Sequence, residues 1–383
     1  MTTVCHVITR LILGGAQENT LLTVRGLKED PDWEATLVTG PALGPEGDLF
    51  DDAAKFGVEP VVIDSLRRAI NPWRDLLAFY KLYRHFKSND YDIVHTHSSK
   101  AGILGRWAAY LAGVPEINHT IHGLPFHQFQ PWYEFWLYSF LEKYTSFITD
   151  KIFTVCDRMT EQAREVGVEP KQGYKTVYSG MELDEFLEVP APGSPEASAV
   201  RASLGFEEDD FVIGKIARLF HLKGHKYCLP AFARVIKKHP EARLLLVGDG
   251  ILKEKLEGQA RELGVREQIV FTGLVPYREI PRMLTAMDCL VHASLREGLP
   301  RVIPQAQAAG RPAISYSVDG APEAIEDGKT GFLVEPEAVD ELAEKIELLI
   351  AEPQRREEIA EAARDWVVPR FDWRHMVEEI KKG

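Results

Sequence analysis

Short β-branched segments alternate with amphipathic segments of helical length along almost the whole chain. In the first half, apolar runs at residues 4–9, 35–38, 59–63, 93–95, 117–120, 152–155 and 176–178 are separated by helical patterns such as 16–27, 73–86 and 100–111. A second series has apolar runs at 211–217, 243–247, 269–271, 289–291, 313–315 and 332–334. This alternation is typical of parallel sheets covered by helices on both faces. The pattern predicts an α/β protein with two Rossmann-like, doubly wound domains.

A proline-rich segment separates the two series. Residues 189–195 read Val-Pro-Ala-Pro-Gly-Ser-Pro and have no periodicity, which is typical of a linker. We expect an N-terminal domain at 1–188, a linker at 189–200, a C-terminal domain at 201–368 and a final helix at 369–383 that could return to the first domain. Because open sheets of this class bind ligands at the carboxyl ends of their strands, function is expected in those loops, in a cleft between the domains.

Composition and charge exclude several classes of function. The 383 residues include 45 Lys and Arg against 58 Asp and Glu, a formal net charge of -13. This acidity argues against nucleic acid as a partner, and no apolar run reaches the ~20 residues that span a bilayer. The first residues lack the basic segment of a secretory signal, so a cytoplasmic location is expected. The four cysteines lack metal-binding spacing and are expected to be buried thiols.

Three predicted strand ends carry residues suited to a phosphate. Gly14 and Gly15 precede a helix without the full dinucleotide fingerprint, so a phosphate site and a simple tight turn both remain open. Arg218 and Lys223 follow the first strand of the second series, where a diphosphate would suit two cations; solvated surface cations are the alternative. Gly248 belongs to a Gly-x-Gly turn that offers a bare backbone edge.

The segment at residues 297–310 carries the most informative pattern. Its glycine and proline lead from a strand into a helix, whose first N–H groups near Arg301 and Val302 would point at an anion. Glu297 just ahead is electrostatically unfavourable beside a phosphate unless it binds hydroxyl groups. A sugar attached to a phosphate meets both needs.

Together, the order and spacing of these motifs resemble family 4 of the retaining glycosyltransferases, which have the GT-B fold and use nucleotide sugars. The resemblance covers nearly the whole chain and is most specific from residue 218 to residue 334. The motifs that carry it are Gly14-Gly15, Ile121-His122-Gly123, Arg218 with Lys223-Gly224, Val247-Gly248-Asp249-Gly250, Phe271-Thr272-Gly273, Glu297-Gly298-Leu299-Pro300 and the Gly-Lys-Thr-Gly-Phe-Leu-Val sequence at 328–334. The fold it implies is two Rossmann-like domains facing each other across a cleft.

The resemblance implies a role for each candidate residue. Arg218 and Lys223 would hold the donor diphosphate, Glu297 would bind hydroxyls of the sugar, and His122 would approach its far hydroxyls and help to position the reacting centre. The implied donor-binding residues without a more specific role are Gly14, Gly15, Gly248, Gly298, Leu299, Pro300 and Gln305. In addition, Leu274 and Val275 would line the nucleobase site, and Arg301 and Val302 would offer backbone N–H groups to the diphosphate. His95 and His97 also end a strand, but a contact with substrate is the less favoured interpretation for them.

The chain departs from the family pattern at Gln305. The family usually has a second Glu there, which holds the ribose hydroxyls, and a Gln side chain offers an acceptor and donors without the charge. No metal is expected, because this fold handles the leaving diphosphate with cations and helix dipoles. The Asp-x-Asp triplets at 30–32 and 90–92 precede strands and are interpreted as solvated loops.

The first domain has features that suit an acceptor at a membrane. Nine of the 37 aromatic residues fall between Phe126 and Tyr144, which indicates either a membrane-facing segment or core burial. The basic residues expected beside them are Arg67, Arg68, Arg74, Lys81 and His85, the last three on one helical face opposite apolar residues. Such a combination suits an anionic membrane surface or a lipid diphosphate. The motif His122-Gly123-x-x-Phe126, followed by an aromatic helix that ends at residues 141–144, also resembles bacterial surface-polysaccharide transferases that act on polyprenyl-diphosphate-linked sugars; a soluble acceptor is the alternative.

The predicted function is therefore a retaining transfer of a hexose or N-acetylhexosamine from a nucleotide sugar, with UDP expected, to a hydroxyl of a glycan or a polyprenyl-diphosphate-linked acceptor. We expect no cofactor beyond the donor, a role in polysaccharide biosynthesis, and a location in the cytoplasm or at the inner face of the cell membrane. The alternatives are a nucleotide-sugar epimerase of the same fold and an inactive nucleotide-sugar-binding protein.

Overall fold

Two compact units make up the protein. The computed structural model describes residues 1–44 and 47–383. Unit 1 comprises Met1–Met181 and Trp373–Gly383, and unit 2 comprises Glu182–Asp372. The division after Met181 precedes the proline-rich segment, and part of the predicted linker is helical because Pro195–Ser203 forms a helix capped by the Ser194 side chain.

Unit 1 is built on a seven-stranded parallel sheet with the order β3-β2-β1-β4-β5-β6-β7. Its strands are β1 Thr2–Ile8, β2 Trp33–Thr39, β3 Val61–Val62, β4 Ile93–His97, β5 Glu116–Ile121, β6 Lys151–Thr154 and β7 Tyr174–Thr176. Its helices are α1 Gly15–Lys28, α2 Phe50–Lys55, α3 Pro72–Asn89, α4 Ser99–Ala112, α5 Trp132–Ser146, α6 Asp157–Glu165 and, at the end of the chain, α16 Trp373–Lys381. The strand order reverses between β1 and β4, where doubly wound sheets bind ligands.

Helix α16 completes the core of unit 1. Trp373, Met376 and Val377 are buried against α1, in the same apolar cluster as Leu21 and Leu27. Gly26 of α1 allows the two helices to approach closely, because a Cβ there would lie 2.7 Å from a methyl carbon of Val377. The predicted final helix thus begins at Trp373 and belongs to unit 1.

Unit 2 has a six-stranded parallel sheet with the order β10-β9-β8-β11-β12-β13. Its strands are β8 Phe211–Ile216, β9 Ala242–Val247, β10 Ile269–Gly273, β11 Cys289–His292, β12 Ala313–Tyr316 and β13 Gly331–Val334. Its helices are α7 Asp184–Leu187, α8 Pro195–Ser203, α9 His225–Lys238, α10 Lys253–Glu262, α11 Ile280–Ala286, α12 Val302–Ala308, α13 Ala321–Ala324, α14 Val339–Ala351 and α15 Pro353–Phe371. All predicted strands are present, so the predicted α/β class with two Rossmann-like sheets is confirmed.

The structure also bears on the predictions about the cysteines and about membrane spans. The four cysteines are free and buried, as expected. In the part of the chain that the structure describes, no helix is both long enough and apolar enough to cross a lipid bilayer.

Candidate active site

The loop after β8 holds Arg218 at the carboxyl end of the sheet of unit 2. The Leu219 N–H donates to the Asp249 carbonyl at 2.9 Å, and the His225 Nε2 lies 3.0 Å from the carbonyl oxygen of Arg218. The Arg218 side chain is exposed, with its guanidinium carbon 5.0 Å from the centre of the Phe220 ring. The backbone of the loop is therefore fixed, while its cation faces solvent.

Glycines allow this loop to lie against its neighbours. Gly224 has a φ of 68°, and a Cβ there would lie 1.6 Å from the carbonyl oxygen of Ala293. A Cβ at Gly248, with a φ of 136°, would lie 2.2 Å from the carbonyl oxygen of Ala217. The Gly248 N–H donates to the Gly273 carbonyl at 3.0 Å. Gly248 thus supports the Arg218 loop by close backbone packing, which other residues would prevent.

Lys223 and Glu297 form an ion pair between the start of α9 and the loop after β11. The Lys223 Nζ lies 2.6 Å from Oε1 of Glu297, and the His292 Nε2 lies 3.1 Å from the same oxygen. The backbone N–H of Glu297 donates to Oδ2 of Asp319 at 2.7 Å. Burial opposes ionisation of Glu297, but Lys223 and His292 outweigh it and hold the pKa of this carboxyl well below its usual range.

Lys215 supplies a further cation that sequence analysis missed. It lies on β8, is fully buried, and its Nζ has no hydrogen-bond partner among the described residues. Burial, together with Lys223, lowers the pKa of Lys215 to about 8, while Cys228 and Glu297 act in the opposite direction. A lysine inside the apolar run Phe211–Ile216 was the available signal, because charged residues are rarely fully buried without a partner.

The loop into α12 is packed on its apolar side. Leu299 and Pro300 are buried, and the carbonyl of Gly298 accepts from the Gly320 N–H at 3.1 Å. The helix begins at Val302, with Arg301 as its N-cap. The predicted diphosphate-binding residues therefore stand at the start of a helix that follows the Glu297 loop. Beyond β10, Leu274 is exposed and Val275 is half-buried.

Gln305 has a partner within the protein. Its side chain is buried, and its Nε2 donates to the phenol oxygen of Tyr277 at 3.0 Å. Tyr277 begins a short 3₁₀ turn after β10, and nothing in the spacing of the two residues along the sequence indicated this contact. The ribose role of Gln305 stays a prediction.

In unit 1, the glycine pair and His122 stand at the carboxyl ends of β1 and β5. Gly14 is extended and is the N-cap of α1, which begins at Gly15. His122 is half-buried, with its Nε2 2.9 Å from Nδ1 of His97. His95 and His97 are 2% and 1% exposed. These two histidines therefore lie behind His122, inside the sheet.

A cavity of about 510 Å³ opens beside the same strand ends, between α3, α4 and α5. Its walls include Ile103, Leu104 and Tyr138, and its charged lining includes Arg10, Arg68 and Lys100. Lys100 pairs with Asp75 at 2.7 Å. The carboxylates of Asp75 and of Glu142, which pairs with Arg106, also line the cavity, so its apolar wall adjoins a mixed charged wall with three cations.

The aromatic helix of unit 1 is largely exposed rather than buried. Trp132 and Trp136 of α5 are 80% and 60% exposed, and Trp73 of α3 is 83% exposed. The other exposed apolar residues of these segments are Ile70, Leu76, Leu77, Tyr80, Phe129, Tyr133, Leu137, Phe140, Tyr144 and Phe147. Exposed apolar groups of this size mark interaction sites. The prediction of core burial for α5 is thus not supported.

The predicted basic face of α3 needs one correction. The ring of His85 is partly buried and lies 3.0 Å from the hydroxyl of Tyr91, and burial lowers the pKa of this histidine. His85 therefore does not belong to the exposed basic group, and apolar residues share the exposed side of α3 with Lys81, while Arg74 is half-buried.

The two Asp-x-Asp triplets lie at the amino ends of strands. Asp92 accepts hydrogen bonds from the backbone and the hydroxyl of Thr3, both at 2.8 Å, and Asp30 pairs with Lys381 at 2.7 Å. Both triplets lie at the surface, as expected for solvated loops, and these two carboxylates also have structural contacts.

Comparisons with known proteins agree with this arrangement of two Rossmann-like sheets, which is that of the GT-B glycosyltransferases. Residues 13–185 match the family model described as "Glycosyltransferase Family 4", and residues 197–366 match the family model described as "Glycosyl transferases group 1". The chain belongs to glycosyltransferase family 4 and is a glycosyltransferase.

Relatives and solved structures cover most of the chain. The UDP-Gal:alpha-D-GlcNAc-diphosphoundecaprenol alpha-1,3-galactosyltransferase of Escherichia coli is 30% identical over 341 residues, 88% of this chain and 85% of that protein. The putative glycosyltransferase EpsD of Bacillus subtilis is 30% identical over 82% of each chain. The crystal structure of Anabaena HepE in complex with UDP and glucose has a TM-score of 0.83, with 21% identity, over 100% of this chain and 99% of HepE.

Proposed function

We propose that the protein is a retaining glycosyltransferase that moves a hexose or N-acetylhexosamine from a UDP-sugar to a hydroxyl of a polyprenyl-diphosphate-linked acceptor in polysaccharide biosynthesis. The observation that carries the proposal is the Lys223–Glu297 pair beside the exposed Arg218 at the strand ends of unit 2. The pair supplies a cation for phosphate and a carboxylate for hydroxyls. The names of the E. coli relative and of the HepE complex support UDP as the nucleotide.

The leaving diphosphate would be stabilised by the chain's own cations. As the bond between the anomeric carbon and the phosphate oxygen breaks, negative charge develops on that oxygen, and Arg218 and Lys223 would stabilise it. The acceptor oxygen attacks the same face of the sugar and its proton passes to the departing phosphate oxygen, which retains the anomeric configuration. This route needs no protein nucleophile and no metal ion.

Glu297 would bind the sugar through its charged carboxylate. Lys223 and His292 both contact Oε1, so Oε2 would accept from a sugar hydroxyl. The depressed pKa of Glu297 keeps this acceptor charged at neutral pH. Charged acceptors form the stronger hydrogen bonds.

The acceptor would occupy the cavity of unit 1. Arg10, Arg68 and Lys100 suit the diphosphate of a lipid-linked sugar, and Ile103, Leu104 and Tyr138 suit its first apolar units. The exposed tryptophans of α3 and α5, with Arg67, Arg68 and Arg74, would hold the protein at an anionic lipid surface. We propose the inner face of the cell membrane as that surface.

Product analysis tests the enzymatic proposal. A panel that includes UDP-galactose, UDP-glucose, UDP-N-acetylglucosamine and GDP-mannose is incubated with and without polyprenyl-diphosphate-linked sugars, and the released nucleotide and the anomeric configuration of the product are measured. Acceptor-dependent release of UDP with retention is expected. Interconversion of donor sugars without acceptor would show an epimerase instead, and failure to bind any nucleotide would show an inactive remnant.

Vesicle flotation tests the membrane proposal separately. Each basic residue near an anionic surface contributes about 1 kcal/mol, so charge reversal at Arg67, Arg68 and Arg74 should abolish binding to vesicles containing phosphatidylglycerol at low salt. The control reverses three exposed lysines of unit 2: Lys237, Lys255 and Lys329. Equal binding by both variants, or no binding by the parent protein, would favour a soluble acceptor.

A further inference from the structure

A buried lysine lies beside the ion pair of unit 2. Lys215, on β8, is 1% exposed, and its Nζ has no hydrogen-bond partner among the described residues. Its charge interacts with those of Lys223 and Glu297, which follow β8 and β11 along the chain. A buried ammonium without a partner is unfavourable, because it has lost the water that would solvate it. Packing of the sheet therefore does not account for this lysine.

The Lys223–Glu297 pair by itself has no net charge with which to bind a diphosphate. The Nζ of Lys223 lies 2.6 Å from Oε1 of Glu297, so one positive charge is offset by one negative charge. A single terminal phosphate already carries a charge of about −1.5 to −2 at pH 7, and a diphosphate carries more. Binding of the donor would therefore draw Lys223 from Glu297 toward the phosphates, beside the exposed Arg218.

Glu297 would then need another positive charge nearby. Its side chain is only 15% exposed, and a buried carboxylate that has lost its partner is strongly destabilising. His292 lies 3.1 Å from the same oxygen, but burial lowers the pKa of this histidine, so its ring is neutral at pH 7. Arg296 interacts with Glu297 too, but more strongly with Asp319. In the part of the chain that the structure describes, Lys215 is the buried cation that acts on Glu297 without a hydrogen-bond partner of its own.

We propose that Lys215 is a positioning residue that takes over the neutralisation of Glu297 when Lys223 turns to the donor diphosphate. Lys215 then stabilises the charged carboxylate that accepts from the sugar hydroxyls, while Lys223 and Arg218 stabilise the diphosphate. This inference rests on the proposed function, in which Lys223 binds the diphosphate and Glu297 binds the sugar. Lys215 touches neither part of the donor and acts only through Glu297.

This exchange of partners couples donor binding to a proton. Burial, together with Lys223, lowers the pKa of Lys215 to about 8, so at that pH the free protein carries this ammonium only in part. When Lys223 turns away and leaves the carboxylate unpaired, both changes favour the ammonium form and raise the pKa of Lys215. The other titratable groups around Lys215 stay largely neutral between pH 7 and 9, because burial lowers the pKa of His225 and His292 and raises that of Cys228.

Calorimetry with UDP measures this proton on the unaltered protein. Heats of binding at pH 8 in buffers with different ionisation enthalpies give the number of protons that the protein takes up. A rise of about 1–2 in the pKa of Lys215 corresponds to the uptake of about 0.4–0.5 proton per UDP. By the same linkage, the affinity for UDP should be about 5–10-fold weaker at pH 9 than at pH 7.

Two variants test whether Lys215 acts through Glu297. Lys215→Met should weaken UDP binding by about 10–100-fold at pH 7, abolish the proton uptake and make the affinity independent of pH between 7 and 9. In a Glu297→Gln background, Lys215→Met should weaken binding little, because no carboxylate is left to neutralise. Lys237→Met, at an exposed lysine of α9, is the control and should bind UDP as the parent does.

The outcomes separate this inference from the proposed function. An unchanged affinity and pH profile in Lys215→Met, or no proton uptake by the parent, would overturn the inference and leave the proposed function in place. An equal loss of affinity in the Glu297→Gln background would show that Lys215 attracts the phosphates directly, which would overturn the exchange of partners. If Lys215→Met fails to fold, the proton uptake and the pH profile of the parent decide. No binding of UDP by the parent would count against the proposed function itself.

Discussion

Replacing Lys223 with alanine tests two roles of its ammonium group: the ion pair with Glu297 and the proposed stabilisation of the leaving diphosphate. The Nζ lies 2.6 Å from Glu297, and the two side chains are 25% and 15% exposed. Removing one partner of a buried ion pair costs about 3–5 kcal/mol, and some solvent reaches this pair, so we expect a loss of about 2–3 kcal/mol in the free energy of unfolding. Removing a cation from the charge that develops on the diphosphate should lower kcat/KM by about 10²–10³.

The double variant Lys223→Ala/Glu297→Gln distinguishes the roles. It neutralises the carboxylate that has lost its lysine and should recover most of the lost stability in urea unfolding, while kcat/KM stays low because the phosphate-binding cation and the sugar-binding carboxylate are both gone. Lys226→Ala is the matched control, because Lys226 is an exposed lysine three residues further along. Turnover close to that of the parent in Lys223→Ala would refute the diphosphate role, and equal stability of the single and double variants would refute the charge argument.

Four further outcomes are expected. Arg218→Ala should lower kcat/KM by about 10²–10³ in the same nucleotide-release assay, with stability little changed because the side chain is exposed. Gln305→Ala should weaken UDP binding in calorimetry by about 1–3 kcal/mol while Gln305→Glu keeps it; unchanged affinity in Gln305→Ala would remove the ribose role. Activity in EDTA should equal activity with magnesium, and strict metal dependence would contradict the proposed route. Because burial depresses the pKa of His6, the unfolded chain binds a proton below about pH 6.5 that the folded chain does not. The free energy of unfolding, measured in urea titrations, should therefore decrease by up to ~1.4 kcal/mol for each unit by which the pH is lowered. The decrease should be smaller in His6→Leu, and the control is His221→Gln, at an exposed histidine.

The strands were predictable because burial on both faces leaves continuous apolar runs, as in β8 and β9. Gly224 and Gly248 were also found, since only glycine tolerates the close backbone approaches around the Arg218 loop. The predicted motifs lie at the strand ends of each sheet because parallel strands end on the same side.

Contacts between residues that are far apart along the chain could not be predicted from the sequence in the same way. His95 and His97 share one face by their spacing, but the contact of His97 with His6, with 2.9 Å between ring nitrogens, depends on the pairing of β1 with β4, which places His6 opposite His95. The Gln305–Tyr277 contact joins residues far apart along the chain. For α5, aromatic residues around the whole helix did not show which of them face solvent, since that depends on the neighbouring helices.

The return of α16 to unit 1 has a consequence for synthesis. Unit 2 is one continuous stretch, Glu182–Asp372, inserted between the two pieces of unit 1. A ribosome therefore releases all of unit 2 before the last helix of unit 1 emerges, and the α1 surface that Trp373, Met376 and Val377 cover stays open during that time. The second unit in the sequence is thus the first that can finish folding.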